Sequence, residues 1–358
     1  MPLIRLRERL KANALGWLLL RSLALAYGAA VVSRRFLYET LLPRKRLSAK
    51  VISIGNLTTG GTGKTPASLL AARTMRERGA QVAILSRGYG RQAKGRRITT
   101  LAGEEAPSWR LCGDEPWMMH QALRGEGIPI LVCADRAGAG REAIAFHGSQ
   151  VLILDDGFQH LRLARDLEVV LVSALDPFGG AGLLPLGNLR EPLRTLSRAD
   201  LVLLTHADRV SEAELWALRD RLRSLSPAPI LEAAHRPDFL LELPGQRRLS
   251  PDSLSGQEVV CLSGIADWVS FEGLLPGLGV RIAQRWRYPD HHPYTPGELG
   301  SLERLRAGRP VVTTLKDFTR LPPGWEEILA PRVCALAIRL EILKGKELWT
   351  EALSRLIG

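Results

Sequence analysis

From residue 50 onward the chain alternates short apolar runs with longer amphipathic stretches. Residues 51–54, 81–85, 129–133, 151–154, 168–172 and 201–204 are nearly continuous in apolar side chains, the pattern of strands buried on both faces. Helical patterns fill most of the gaps, at residues 65–78, 114–124, 136–146 and 211–225. That alternation predicts βαβ units in an α/β fold with a doubly wound parallel sheet, whose ligands sit beyond the carboxyl ends of the strands. The composition shifts at Ser226-Pro227-Ala228-Pro229, after which strand-like runs at 239–243, 259–262, 280–287, 311–314 and 333–340 alternate with helical stretches. Three parts are therefore expected: an N-terminal segment 1–46, a core domain 47–228 and a smaller α/β domain 229–358.

The N-terminal segment follows a different rule. Its basic start (Arg5, Arg7, Arg9, Lys11) leads into residues 14–32, which are largely apolar, and Arg34, Arg35, Arg44, Lys45 and Arg46 follow. As a helix, such a stretch reaches about 28 Å, near the hydrocarbon thickness of a bilayer. Arg21 near its middle opposes insertion, costing about 2.5–3.5 kcal/mol at a helix centre. A cleaved leader, a single span and a buried core helix are the competing readings. A helix lying in a leaflet, flanked by cations that each add about 1 kcal/mol on an anionic surface, fits the pattern best.

At 358 residues the chain is long enough for two domains, and its composition is that of a globular protein. The net charge of +12 points to an anionic partner: a membrane surface, an anionic substrate or a nucleic acid. Cys112, Cys133, Cys261 and Cys334 form no C-x-x-C pair and read as buried small hydrophobes, so neither disulfides nor a zinc site is expected.

The chemistry concentrates at strand ends. Residues 50–66, KVISIGNLTTGGTGKTP, run from an apolar strand through a glycine-rich loop to Lys64-Thr65 at a helix start. That is the order of a phosphate-binding loop, in which backbone N–H groups cradle phosphates, the lysine reaches the terminal ones and the hydroxyl meets Mg²⁺. Thr58 stands where the usual first glycine would fall; Thr59, Gly60, Gly61, Thr62, Gly63, Lys64 and Thr65 complete the candidate loop. Residues 151–156, VLILDD, carry the strand-then-acid pattern that holds a metal, through Asp155 or Asp156. Ser86-Arg87-Gly88-Tyr89-Gly90-Arg91 suits phosphate or sugar contact, and Gly113-Asp114-Glu115-Pro116 sets two acids at a helix start. Asn188-Leu189-Arg190-Glu191-Pro192 brings an arginine on a glycine-rich loop, and Asp290-His291-His292 offers an acid–histidine pair.

Taken in order, GNLTTGGTGKTP, SRGYGR, GDEP, DDGFQH, LREP, DHHPY and TTLKDFTR, behind a basic apolar helix, resemble the tetraacyldisaccharide 4′-kinase family over nearly the whole chain. The resemblance implies a P-loop kinase fold with a smaller second domain closing over the cleft, on the cytoplasmic face of a bacterial inner membrane. It implies transfer of the ATP γ-phosphoryl group to the 4′-hydroxyl of an acylated disaccharide 1-phosphate. Lys64 and the loop would hold the phosphates, Thr65, Asp155, Asp156 and Glu115 would handle Mg²⁺, and Asp114 would be the general base, oriented by His291. Arg190 would neutralise transition-state charge, with Arg87, Tyr89 and Glu191 near the substrate. Leu315 departs from the family's usual acid, so Lys316 and Asp317 are read as structural. The rival is a membrane-recruited regulatory ATPase or GTPase. Thr59 replaces the signature lysine of the deviant-loop ATPases, and Thr205-His206-Ala207-Asp208 lacks the lysine of a guanine-reading motif. No nucleic-acid motif is present, and no nucleic-acid or obligate protein partner is expected.

Overall fold

Buried apolar runs set the first sheet. Strands β1 (Lys50–Asn56), β2 (Val82–Ser86), β3 (Thr99–Leu101), β4 (Ile130–Val132), β5 (Val151–Asp155), β6 (Leu167–Ser173) and β7 (Leu201–Thr205) pair in the order β7-β6-β1-β5-β2-β4-β3. All neighbours are parallel except β3 against β4. Every residue of β2, β4, β5, β6 and β7 is buried, so helices must cover both faces. This is the chain's computed structural model, and it describes residues 2–89, 91–92, 97–104, 108–329 and 331–357.

The helices are α1 (Pro2–Lys11), α2 (Ala14–Phe36), α3 (Lys64–Glu77), the short α4 (Trp109–Cys112), α5 (Asp114–Leu123), α6 (Arg136–His147) and α7 (Glu212–Arg223). Their ends follow from local chemistry. Asp135 caps α6 by accepting from the Gly138 N–H, and left-handed Gly148 closes it. Ser211 and Glu214 form a capping box on α7. Asp114 and Glu115 in the first turn of α5 complement its dipole.

Helix α2 is longer than expected, running to Phe36 before a π-helical turn at Leu37–Leu41. Residues 14–41 are long and apolar enough to cross a membrane by length and composition. Gly16, Leu20, Ala24 and Gly28 recur every fourth residue as one buried stripe, while Leu15, Leu18, Leu19 and Leu25 are exposed. Asn13 caps α2, and Gly16 packs so closely on the Leu10 carbonyl that a side chain there would collide. The hairpin of α1 and α2 is thereby tight.

The chain forms two compact units, Met1–His235 with Leu340–Gly358, and Arg236–Arg339. These bounds differ from the expected 229–358 at both ends. Strand β8 (Ile230–Leu243) begins in the first unit, paired with β7, and ends in the second, paired with β9 (Arg247–Leu249). In the second unit β10 (Glu258–Ser263) lies parallel between β11 (Arg281–Arg287) and β12 (Val311–Thr314), and β12 pairs with β13 (Val333–Lys344). Helices α8 (Trp268–Leu274), α9 (Pro296–Arg306), α10 (Leu315–Phe318) and α11 (Trp325–Leu329) complete it, around a core that includes Val259, Phe271, Leu275 and Val312. The chain then returns, and α12 (Lys346–Ser354) packs on α3. Its Trp349 is buried, with Nε1 donating to Thr74 Oγ1 at 3.2 Å, which is why the terminus belongs to the first unit. All four cysteines are free and buried.

Candidate functional site

Strand β1 delivers the chain to Asn56 at its carboxyl end, and residues 57–63 then loop into α3. Gly60 (φ 124°) and Gly63 (φ 84°) take backbone conformations that other residues adopt only with strain. Gly60 and Gly61 are exposed, and a side chain on either would meet nothing within 4 Å, so their backbone faces open space. The rest of the loop is pinned from below. Asn56 Nδ2 donates to Thr62 Oγ1 at 2.8 Å and to Thr58 Oγ1 at 3.5 Å, and Thr205 Oγ1 donates to the Thr62 carbonyl at 3.0 Å. Thr58 is buried and forms a β-bridge with Leu189, so the missing first glycine is replaced by a packed anchor. The exposed Thr59 donates its N–H to the Asn188 carbonyl at 2.8 Å. Thr65 is the second residue of α3, half-buried at its amino end.

Strand β5 is in register with β1, Ile54 opposite Asp155, and so ends beside the loop. The next residue, Asp156, is held at φ 49°. Its carboxylate lies between two cations: Arg190 donates to both oxygens, at 2.8 and 3.2 Å, and Lys64 Nζ lies 3.7 Å away. Burial raises the Asp156 carboxyl, but Lys64 and Arg190 outweigh it and hold the group below its ordinary value. Lys64 also donates to Asn56 Oδ1 at 3.2 Å. Asp155 is the opposite case. It is fully buried and accepts from Ser68 Oγ at 2.9 Å. Burial, with the nearby charges of Glu115 and Asp156, pushes it up to about 7. Two adjacent acids thus occupy opposed environments: cations outweigh burial at Asp156, while burial and like charge outweigh Lys64 at Asp155.

Gly113 (φ 100°) lets the start of α5 close on the neighbouring loop; a side chain there would sit 3.1 Å from the Tyr89 carbonyl and 3.2 Å from Gly88 Cα. The SRGYGR and GDEP segments are therefore brought together, except that Gly90 lies outside the described residues. Asp114 is half-buried, its Oδ1 accepting from the Glu115 N–H at 2.9 Å, and Glu115 is exposed. Arg87 is exposed and Tyr89 is 79% exposed, free of the core. Glu191 departs from its expected place near the substrate. It is buried, accepts from Arg198 Nη1 at 3.1 Å, and burial raises its carboxyl. Arg198 also stacks over Phe158, so Glu191 belongs to the packing beneath the loop.

Sequence reasoning missed three residues here. Asn56 ties the loop to Lys64, and only its place after β1 signalled it. Arg136 is buried at the start of α6, donates to the Cys133 carbonyl, and is pushed down to about 10 by burial, which attraction to Asp155 partly offsets. His160 is pushed down to about 4 by burial and by Arg136, so it is neutral at physiological pH.

In the second unit, His291 (φ 62°) is exposed, its Nδ1 accepting from Arg320 at 3.0 Å and its Nε2 lying 3.6 Å from Asp290. His292 stacks on Tyr288 and contacts Glu298 at 3.0 Å, so the two histidines are distinct: one packed, one presented. Asp317 is buried, accepting from the Gly264 N–H and the Thr314 hydroxyl, and Lys316 lies 3.7 Å from Asp290. Both have structural partners within the unit.

Among the described residues, no group of three or more His, Cys, Asp or Glu converges to hold a metal unaided. Asp155 nevertheless feels the like charges of Glu115 and Asp156, which a cation would relieve, and Thr65 stands in the first turn of the helix whose Ser68 bonds Asp155, so the donors on offer are oxygens. Mg²⁺ commonly takes only one or two carboxylates, completing its shell with waters and phosphate oxygens, so the residues fit it.

A model of the tetraacyldisaccharide-1-P 4′-kinase family matches residues 16–357. The tetraacyldisaccharide 4′-kinase of Elusimicrobium minutum is 41% identical over 359 residues, which cover 99% of this chain and 96% of the relative. That of Anaeromyxobacter dehalogenans strain 2CP-C is 41% identical over 333 residues, covering 92% and 87%. A crystal structure of LpxK from Aquifex aeolicus in complex with ATP aligns with a TM-score of 0.74 at 30% identity, covering 94% of this chain and 98% of that one.

Proposed function

The chain belongs to the tetraacyldisaccharide-1-P 4′-kinase family, and from that premise we propose that it transfers the γ-phosphoryl group of ATP to the 4′-hydroxyl of a tetraacylated disaccharide 1-phosphate. The observation that carries the reading at the residue level is the open space over Gly60 and Gly61, in a loop that leads into Lys64, whose Nζ lies 3.7 Å from Asp156. The nucleotide named in the Aquifex aeolicus structure supports ATP as donor.

The 60–63 backbone and Lys64 bind the β- and γ-phosphates, with the start of α3 adding its partial positive charge. Thr65, Asp155 and Glu115, with Asp156 adjacent, hold Mg²⁺, which when bound offsets charge on the phosphate oxygens. Asp114 takes the proton of the 4′-hydroxyl as that oxygen bonds to the γ-phosphorus and the bond from phosphorus to the departing ADP oxygen breaks. A base so placed contributes roughly 10²–10⁴-fold. Arg190, already preset by Asp156, stabilises the charge of the transferring group. Arg87 and Tyr89, exposed on the loop that closes on Gly113, meet the sugar phosphate.

The acyl chains keep the substrate in a membrane, so the enzyme must work at its surface. The exposed leucines of α2 and the flanking arginines support a hairpin docked on an anionic leaflet, on the cytoplasmic side, where ATP is available.

The test is transfer of labelled γ-phosphate from ATP–Mg²⁺ to tetraacyldisaccharide 1-phosphate in detergent micelles. Wild type should label the lipid. Asp114→Ala should lose about 10²–10⁴-fold in kcat while binding ATP normally, and Lys64→Ala should lose both. ATP hydrolysis without lipid labelling by folded wild type would overturn the assignment.

A further inference from the structure

The α1–α2 hairpin does more than present leucines outward. Besides the bond from Arg34 to the Gln159 carbonyl, it makes polar contacts with the loop of residues 179–190, which ends in Arg190. Arg7 Nη1 donates to Asn188 Oδ1 at 2.7 Å and to the Gly187 carbonyl at 3.3 Å. The Tyr27 hydroxyl donates to the Arg190 carbonyl at 3.0 Å. Gly28 approaches Leu183 so closely that a side chain there would collide with it. The opposite edge of the same loop grips the nucleotide site: the Asn188 carbonyl accepts from the Thr59 N–H, the Arg190 N–H donates to the Leu57 carbonyl at 2.7 Å, and the Arg190 guanidinium holds Asp156. One layer of backbone therefore separates the hairpin from the phosphate loop.

An anchor alone does not need these bonds. Leu20, Ala24 and Gly28 already bury one face of α2 without them. Tyr27 and Arg7 act instead on the backbone and side chain of a loop that has few other ties on that edge among the contacts described, and they fix it at the two residues that face Thr59 and Asp156. We propose that Tyr27 and Arg7 are positioning residues for catalysis: they hold loop 179–190 so that Arg190 is aimed, and so couple turnover to the seating of the hairpin in lipid. This rests on the kinase reading above and adds to it a route by which the membrane surface reaches the reacting phosphate.

The experiment compares wild type with Tyr27→Phe, which removes only a hydroxyl, and with Arg7→Gln. Read-outs are kcat and KM in the micelle assay, ATP affinity, sedimentation with phosphatidylethanolamine–phosphatidylglycerol vesicles, thermal melting, and amide hydrogen exchange across 179–190. Loss of one such bond should lower kcat roughly 2- to 13-fold for Tyr27→Phe, with ATP affinity, vesicle binding and melting unchanged. Exchange across 179–190 should quicken in both variants. Exchange at the wild-type rate overturns the proposal whatever the substrate proves to be. So does a fall in kcat/KM that merely tracks lost vesicle binding, the mark of a simple anchor. Failure of the wild type to label lipid would instead sink the assigned reaction, leaving the exchange result to decide this point.

Discussion

Asp155 and Asp156 are neighbours in the chain and opposites in chemistry. Asp156 is ionised by virtue of Lys64 and Arg190, which it holds near the place where phosphates must arrive. Asp155 is buried beside two other acids and is pushed up to about 7. Its carboxyl ionises near 3.9 in an unfolded chain, so between about pH 4 and pH 7 the native state holds a proton that the unfolded state has lost. Stability from this group is therefore present at low pH and is lost as the pH rises through that window. Without metal or nucleotide, wild type should melt at a lower temperature at pH 8 than at pH 5.5, beyond any change shown by Asp155→Asn. Melting curves of both proteins at the two pH values check this, and equal pH dependence would refute it.

At the scale of elements, α12 is the least expected partner of the site. It lies far from α3 in sequence, yet Trp349 is buried against the helix that begins with Lys64. Emptying that space should cost about 3–5 kcal/mol. Trp349→Ala is expected to lower the urea midpoint measured by circular dichroism, and to weaken ATP binding no more than instability requires. The strand and helix predictions in the first unit fell within a few residues of the observed elements, because β5, β6 and β7 are buried on both faces and read as unbroken apolar runs. The short edge strand β3 was not predicted: three residues, TTL, carry no period. Strand β8 was foreseen only at its end, 239–243, because Arg236, Pro237 and Asp238 interrupt its apolar pattern.

For the whole molecule, charge is concentrated. The first 46 residues hold ten Lys and Arg against two Glu, a net +8 of the total +12. Attraction of this segment to an anionic surface should be screened as salt rises, since the screening length falls from about 10 Å at 0.1 M to about 3 Å at 1 M. Sedimentation with phosphatidylglycerol vesicles should weaken strongly over that range and leave the residue contributed by the exposed leucines of α2. Binding insensitive to salt would mean that the basic flanks play no part in docking.

The sequence by itself determined the α/β alternation, the glycine-rich loop before Lys64-Thr65, the acid pair after β5 and the family to which the chain belongs. These are local signals: a strand, a turn and a helix start are written in consecutive residues. Tertiary structure alone decided at which acid cations would outweigh burial and at which burial and like charge would prevail, since burial and partners come from distant segments. It also withdrew Glu191 into the core, brought Asn56 and Arg136 to the site, separated His291 from His292 and returned α12 to α3. The bonds of Tyr27 and Arg7 to the loop of Arg190 join residues more than 160 positions apart, and no periodicity records a contact at that distance.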